Sequence, residues 1–322
     1  DTHTVTLDET GHGTLSVDNP NTEDAFVDAS TLVAEVITAT GGNFEKLETG
    51  AKATATIADT ESPVSIAVTA NAATEADGKV VFNFQTSQAP QQGSTAVVLT
   101  VKVGNDTHTV TLDENGHGTL SVDNPNTEDA FVDASTLVAE VMTATGGNFE
   151  KLETGAKATA TIADTESPVS IAVTANAATE ADGKVVFNFQ TSQAPQQGST
   201  AVVLTVKVGN DTHTVTLDET GHGTLSVDNP NTEDAFVDAS TLVAEVITAT
   251  GGNFEKLETG AKATANIADT ESPVGISVTA NAATEADQKV TFNFQTSQAP
   301  QQGSTAVVLT VKVGNDTHTV TL

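Results

Sequence analysis

The sequence predicts an all-β protein made of tandem copies of one unit, and three observations carry that prediction. A 105-residue stretch is written three times, with the string DTHTVTL opening at Asp1, Asp106 and Asp211 and again at Asp316, where the chain stops at Leu322. Thr and Val alternate over short runs, which is the two-residue period of strands that bury one face. Gly, Asn, Asp and Pro punctuate those runs and supply the turns. The copies differ at only seven positions, among them Ile37/Met142/Ile247, Gly78/Gly183/Gln288 and Val81/Val186/Thr291. A period of this length is too long for a solenoid turn and suits a domain with its own core.

Seven strands are predicted in the unit that follows Ser62. Strand A covers 64–69 (VSIAVT), B covers 79–85 (KVVFNFQ) and C covers 95–103 (TAVVLTVKV). The turn Gly104-Asn105-Asp106 makes a tight hairpin into D, 107–112 (THTVTL), and Glu114-Asn115-Gly116-His117 leads into E, 119–122 (TLSV). Strands F, 136–145 (TLVAEVMTAT), and G, 156–163 (AKATATIA), close the unit. Seven short strands in about a hundred residues point to an immunoglobulin-like sandwich.

After strand G the run Asp164-Thr165-Glu166-Ser167-Pro168 turns polar and places a proline where a ladder amide would be needed, which marks a linker. Complete domains are therefore expected at 63–167 and 168–272. Residues 1–62 then form the D-to-G half of one domain and 273–322 the A-to-D half of another. The expected arrangement is an extended rod.

Charge is the second strong signal, with a formal net charge of −31 and no cysteine. Each copy holds fourteen acids against four lysines. Phosphate backbones demand basic surfaces, so nucleic acid is excluded as a partner. Without cysteine there are neither disulfides nor thiolate metal sites. No stretch resembles a signal peptide or a membrane span, so direct membrane insertion is not expected. The chain starts and stops inside a repeat and is read as a fragment.

An odd number of strands puts the incoming and outgoing chain at opposite ends of each domain, so the AB, CD and EF loops gather at the outgoing end beside the linker. In the first complete copy those segments hold Glu75, Asp77, Asp106, Asp123, Glu128, Asp129, Asp133, Asp164 and Glu166. The next domain contributes its DE loop, Asp218 and Glu219, at the same junction. Carboxylates crowded in this way repel unless a cation neutralises them. Ca2+ takes six to eight oxygens in flexible geometry, and the shortage of His and Cys in these loops argues against zinc. The candidate ligands are Asp24, Asp28, Asp59 and Glu61 in the first copy, and Glu75, Asp77, Asp113, Glu128, Asp129, Asp133, Asp164 and Glu166 in the next. Glu180, Asp182, Asp218, Glu233, Asp234, Asp238, Asp269 and Glu271 complete the set. Neither an EF-hand loop nor a GGxGxD nonapeptide is present, so the expectation rests on topology, and the alternative is an acidic, solvated end.

The acidic segment Glu128-Asp129-Ala130-Phe131-Val132-Asp133-Ala134, the run Ala144-Thr145-Gly146-Gly147-Asn148-Phe149-Glu150, and the closing Ala158-Thr159-Ala160-Thr161-Ile162-Ala163-Asp164-Thr165 carry a resemblance. In that order they resemble the Ig-like extender repeats of giant RTX-type bacterial adhesins secreted by type I systems. The resemblance covers every copy, although family members often carry Tyr where Phe131 stands. It implies a spacer on the extracellular face of a bacterial cell, stiffened by calcium at each linker and serving adhesion or biofilm formation. Its partners would be neighbouring repeats of the same chain, with the distal ligand bound by other domains of the full protein.

Rival chemistry is weaker. His108 and His117 recur near Asp106 and Ser121, but no G-x-S-x-G elbow accompanies them, so an enzyme is not expected. The Asn105-Asp106-Thr107 sequon is explained by the hairpin's need for Asn. Gly146-Gly147-Asn148-Phe149 is read as a turn whose Phe149 plugs the end of the sandwich, rather than as a ligand loop. Gln88, Gln91 and Gln92 in the BC loop keep open a multivalent carbohydrate-binding array, in which repeated sites would give avidity.

Overall fold

The structure is a computed structural model that describes residues 1–260 and 262–322. Among the described residues every regular element is a β-strand. The chain divides into two compact units, residues 1–128 with 133–165 and residues 129–132 with 166–322.

The first unit opens with an antiparallel pair, β1 (Ser30–Ala34) and β2 (Ala53–Ile57), in which Ser30 faces Ile57. Nine strands follow: β3 (Pro63–Ala70), β4 (Ala73–Thr74), β5 (Lys79–Thr86), β6 (Val98–Val103), β7 (Asp106–Thr111), β8 (His117–Asp123), β9 (Ser135–Thr145), β10 (Lys151–Glu153) and β11 (Lys157–Ala163). They form two sheets, ordered β10-β3-β5-β8 and β4-β11-β9-β6-β7. The sheets close on a single apolar core, which makes this an immunoglobulin-like sandwich. Two pairings, β10 with β3 and β4 with β11, run parallel.

Period-two patterning explains the core. Along β5, Val80, Phe82 and Phe84 are at most 2% exposed, while Lys79 and Gln85 face solvent. Opposite them lie Leu99 and Val101 of β6, Ala139 of β9 and Ile162 of β11, all fully buried. Burying a side chain of the Leu or Phe class contributes about 1.5–3 kcal/mol, so this interdigitated layer is the main favourable term.

Strands A to F appear as β3, β5, β6, β7, β8 and β9, and the departures have local causes. Strand C starts at Val98 rather than at 95, because its first residues serve another purpose: Gly147 N donates to Thr95 O and Leu112 N to Val97 O, both at 2.8 Å. Gly146 lies flat on this segment; a Cβ there would sit 2.1 Å from Ala96 O, and its φ is +99°. Strand G is preceded by the short β10 in the other sheet. Gly155 (φ +91°) makes that switch, donating to Val141 O at 2.8 Å while Val141 N donates to Ala156 O at 3.0 Å.

The second unit repeats the arrangement with strands Pro168–Ala175, Ala178–Thr179, Lys184–Thr191, Val203–Val208, Asp211–Thr216, His222–Asp228, Ser240–Thr250, Lys256–Thr259 and Ala263–Ala268. Phe187, Phe189 and Leu204 occupy its centre. Beyond this sandwich, Ile276–Ala280 pairs with Phe292–Thr296, and Val308–Val313 with Asp316–Thr321, both antiparallel.

Candidate functional site

The two-residue strand β4 fixes the first carboxylate. It pairs Ala73 with Ile162 and Thr74 with Ala163 at the end of β11, so Glu75 N donates to Ala163 O at 3.0 Å and the side chain folds over the departing chain. Glu75 is only 3% exposed. Its Oε1 accepts from Thr165 N at 3.0 Å and lies 3.2 Å from Thr165 Oγ1, whereas its Oε2 is buried with no hydrogen-bond partner.

The second unit builds the same corner. Glu180, 2% exposed, accepts through Oε1 from Thr270 N at 3.0 Å, with Thr270 Oγ1 3.1 Å away, and its Oε2 again has no partner. Glu180, Asp238 and Asp269 each bring an oxygen within 4.8 Å of the others, and Asp269 Oδ1 is likewise buried without a partner. The Thr270 amide pulls the Glu180 carboxyl down, but burial and the adjoining Asp269 outweigh it and hold its pKa above the ordinary value. Glu233 goes the other way, lowered by the hydroxyls of Ser272 and Thr270.

The segment between β8 and β9 is shaped by its own polar side chains. Asn126 Nδ2 donates to Asp133 O at 3.1 Å and to Asp133 Oδ1 at 2.9 Å, and Asp133 N donates to Asp164 Oδ1 at 3.1 Å. Thr165 Oγ1 donates to Glu128 Oε2. These bonds bring Glu128, Asp133 and Asp164 toward the corner that Glu75 occupies.

One more carboxylate arrives from the following repeat. Within the first unit, Glu150 Oε2 accepts from Ser62 N at 2.6 Å and faces Asp59 and Glu23. The Ser62 amide lowers the Glu150 pKa, yet burial and the charges of Asp59 and Glu23 carry the net shift upward. Glu23 is lowered by the hydroxyls of Ser62 and Thr60. Asp59 Oδ2 accepts from Asp28 N at 3.1 Å. Transposed by the 105-residue period, this set and the second unit's set share three positions, Glu23 with Glu233, Asp28 with Asp238 and Asp59 with Asp269. Glu180, Glu233, Asp238 and Asp269 thus gather in the second unit, and Glu150 gathers with Glu23 and Asp59 in the first.

Beside these carboxylates the repeats touch through a backbone and aromatic contact. In the first unit Phe26 forms a β-bridge with Phe149: Val27 N donates to Asn148 O at 3.0 Å and Glu150 N to Ala25 O at 3.1 Å. The two rings stack with centroids 5.4 Å apart and planes at 23°. In the second unit Phe131 and Phe254 repeat the bridge and the stack, at 5.4 Å and 22°. Phe149 and Phe254 are each 9% exposed, so the expected plug is present and also carries a partner from the preceding copy.

Several predicted ligands are engaged elsewhere. Asp77 Oδ2 caps the AB turn by accepting from Thr74 N (2.7 Å) and Oγ1 (3.0 Å), and Asp182 does the same for Thr179. Asp113 and Asp218 hold the DE turn, accepting from His117 N at 2.8 Å and His222 N at 3.0 Å. Asp24, Asp129 and Asp234 accept from the amides of Phe26, Phe131 and Phe236. Glu61 and Glu166 pair with Lys151 and Lys256 at 3.6 Å, and Glu271 is exposed. Sequence reasoning missed Glu23, although it shares a repeat position with Glu128 and Glu233. It also missed Glu150, whose signal was its fixed place after Gly-Gly-Asn-Phe in a loop at the incoming end.

A buried carboxylate oxygen with no donor is costly, and three acids within reach of one another compound the cost. An oxygen-only donor set of carboxylates on loops fits a hard cation.

The LapA domain family matches residues 63–165 and 168–270. No curated protein matches the chain in sequence. Similar solved structures include a 1.5-MDa bacterial ice-binding adhesin, 15% identical, with 81% of this chain and 84% of that chain covered at a TM-score of 0.28. Another is CBD12 from CALX1.2, 11% identical, with 57% and 80% covered and a TM-score of 0.23. The FN1–FN3 domains of chicken CNTN1 are 7% identical, with 69% and 71% covered and a TM-score of 0.21.

Proposed function

The chain belongs to the LapA domain family of adhesins, and on that premise we propose that it is a non-enzymatic spacer of a bacterial cell-surface adhesin, stiffened by Ca2+ bound at each repeat boundary. The proposed domains are 63–167 and 168–272, flanked by the halves 1–62 and 273–322. As an extracellular extender it would hold a distal ligand-binding domain away from the cell for adhesion or biofilm formation. Type I secretion enters through the resemblance to RTX adhesins alone.

One observation carries the metal reading. Glu180 is buried, has an oxygen without a donor, and lies within 4.8 Å of carboxylate oxygens from Asp238 and Asp269. Glu180 and Asp238 would supply charge, Asp269 would join them from the closing segment, and Glu233 stands beside Thr270 as a further donor. In the first unit Glu150 of the next repeat lies beside Asp59 and Glu23, which supports a reading in which one ion ties together segments from both sides of a boundary. An ion that binds only this folded arrangement raises stability by mass action. The test is calorimetric melting of the whole chain in calcium, magnesium and chelator, and identical transitions in all three would end the proposal.

The carbohydrate reading is less favoured, because Gln91 and Gln196 already hold the F-to-G loop. Their Oε1 atoms accept from Asn148 Nδ2 and Asn253 Nδ2 at 2.7 Å.

A further inference from the structure

We infer that each repeat carries a metal-independent latch, in which the Asp-Ala-Phe-Val segment of one copy docks as a short strand on the Gly-Gly-Asn-Phe loop of the next. The latch uses no carboxylate side chain between the two partners. It consists of two backbone hydrogen bonds, Val27 N to Asn148 O and Glu150 N to Ala25 O, a third from Asn148 Nδ2 to Val27 O at 3.2 Å, and the Phe26–Phe149 stack. In the second unit Val132 N, Glu255 N and Asn253 Nδ2 make the same three bonds to Asn253 O, Ala130 O and Val132 O.

The docking is part of the hydrophobic core. Ala25 is 6% exposed and packs with the core of the sandwich that follows it, as Ala130 (6%) does in the second unit, with Phe26 and Phe131 lying against the same cores. The third copy of the segment is followed, in residues 273–322, by no Gly-Gly-Asn-Phe run. In that copy the same Ala-Phe-Val sequence leaves Val237 92% exposed, against 53% for Val27 and 51% for Val132.

The receiving loop is built for this partner. Asn148 adopts φ +57° and Asn253 +56°, a left-handed conformation that Asn tolerates better than other side chains except Gly. That turn exposes the Asn carbonyl to the incoming amide, and its side-chain amide bridges the incoming carbonyl and Gln91. Neither backbone pairing nor ring stacking requires a cation, so docking places Glu150 at the boundary before any metal binds. The latch stands whether or not the boundary carboxylates hold calcium.

The test is hydrogen exchange by mass spectrometry on the full chain in EGTA, following the amides of Val27, Glu150, Val132 and Glu255. In the native chain they should exchange at least about tenfold more slowly than in a Phe26→Ala/Phe131→Ala variant, with Leu99 and Leu204 equally protected in both as evidence of intact sandwiches. Should the variant fail to fold, the native chain alone decides the matter. If its four amides exchange at unstructured rates in EGTA and gain protection only with calcium, the latch is refuted. Protection that persists undiminished in the folded variant would equally overturn the role given to the rings. Loss of the calcium response in melting, by contrast, would touch the metal reading and leave this one standing.

Discussion

Replacing Glu180 by Gln keeps the shape of the side chain but removes one charge from the group it forms with Asp238 and Asp269. Calcium at 100 times its dissociation constant stabilises a folded domain by about 2.7 kcal/mol. For a sandwich of about a hundred residues, each kcal/mol moves the midpoint by roughly 4–8 °C, so calcium should raise it by about 10–20 °C. If losing one ligand weakens binding about 100-fold, the same calcium concentration contributes only about 0.4 kcal/mol, or roughly 2–3 °C. In chelator the sign reverses. The native carboxylate is held near Asp269 with an unpartnered oxygen, and a neutral amide in its place can donate to the neighbouring acids. The variant should therefore melt at or above the native midpoint in EGTA and well below it in calcium. Differential scanning calorimetry is the suitable assay, because the chain contains neither Trp nor Tyr to report by fluorescence. An equal loss of stability in both conditions would show that the side chain acts through packing alone and refute the reasoning.

Acidity should act on the same corner. Glu150 and Glu180 have folded-state pKa values raised above 4.5, so as the pH falls toward that value the folded chain takes up protons before the unfolded chain does. In EGTA, stability should rise across that window, while calcium affinity measured by titration falls across it; a flat profile would contradict the assignment. Below the ordinary carboxylate range the trend should reverse, because Glu23, Glu233, Asp77 and Asp113 have lowered pKa values and lose their native hydrogen bonds on protonation. Gly251→Ala should cost about 1–3 kcal/mol in denaturant titration, since its φ is +98° and the new Cβ would meet Ala201 O at 2.1 Å. Leu204→Ala, at a fully buried position, should cost about 2–5 kcal/mol in the same experiment, and a smaller loss would mean that the core there collapses around the change.

The long strands were legible because each runs through several turns of the two-residue period, as in β5, where Val80, Phe82 and Phe84 alternate with polar or half-buried neighbours. The strands β4 and β10 span two and three residues, too few for any period to register, yet β4 is what places Glu75. Loop parity gathered the AB, CD and EF loops, the closing segment and the next domain's DE loop at one end, whereas the hydrogen bonds join the AB, EF and closing segments. It did not reveal which oxygens were already engaged: Asp77 and Asp113 have the same charge as Asp238, but their oxygens hold turns. Glu150 and the ring of Phe26 were hidden for another reason. Each acts on a neighbouring copy, and the pattern within one repeat does not disclose what the next repeat brings to it.

The two parallel pairings have a mechanical consequence. β3 follows the incoming chain and β11 precedes the outgoing chain, and each lies beside a strand running in its own direction, β3 at Pro63 to Ser65 with β10 and β11 at Ile162 to Ala163 with β4. Tension applied at Pro63 and Thr165 in opposite directions loads these ladders along their length, so their hydrogen bonds carry the force together and must fail together. Had the first and last strands been antiparallel neighbours, the same pull would have unzipped them one bond at a time. Resistance to extension in such a domain is thus set by the joint rupture of a few short ladders near its two ends.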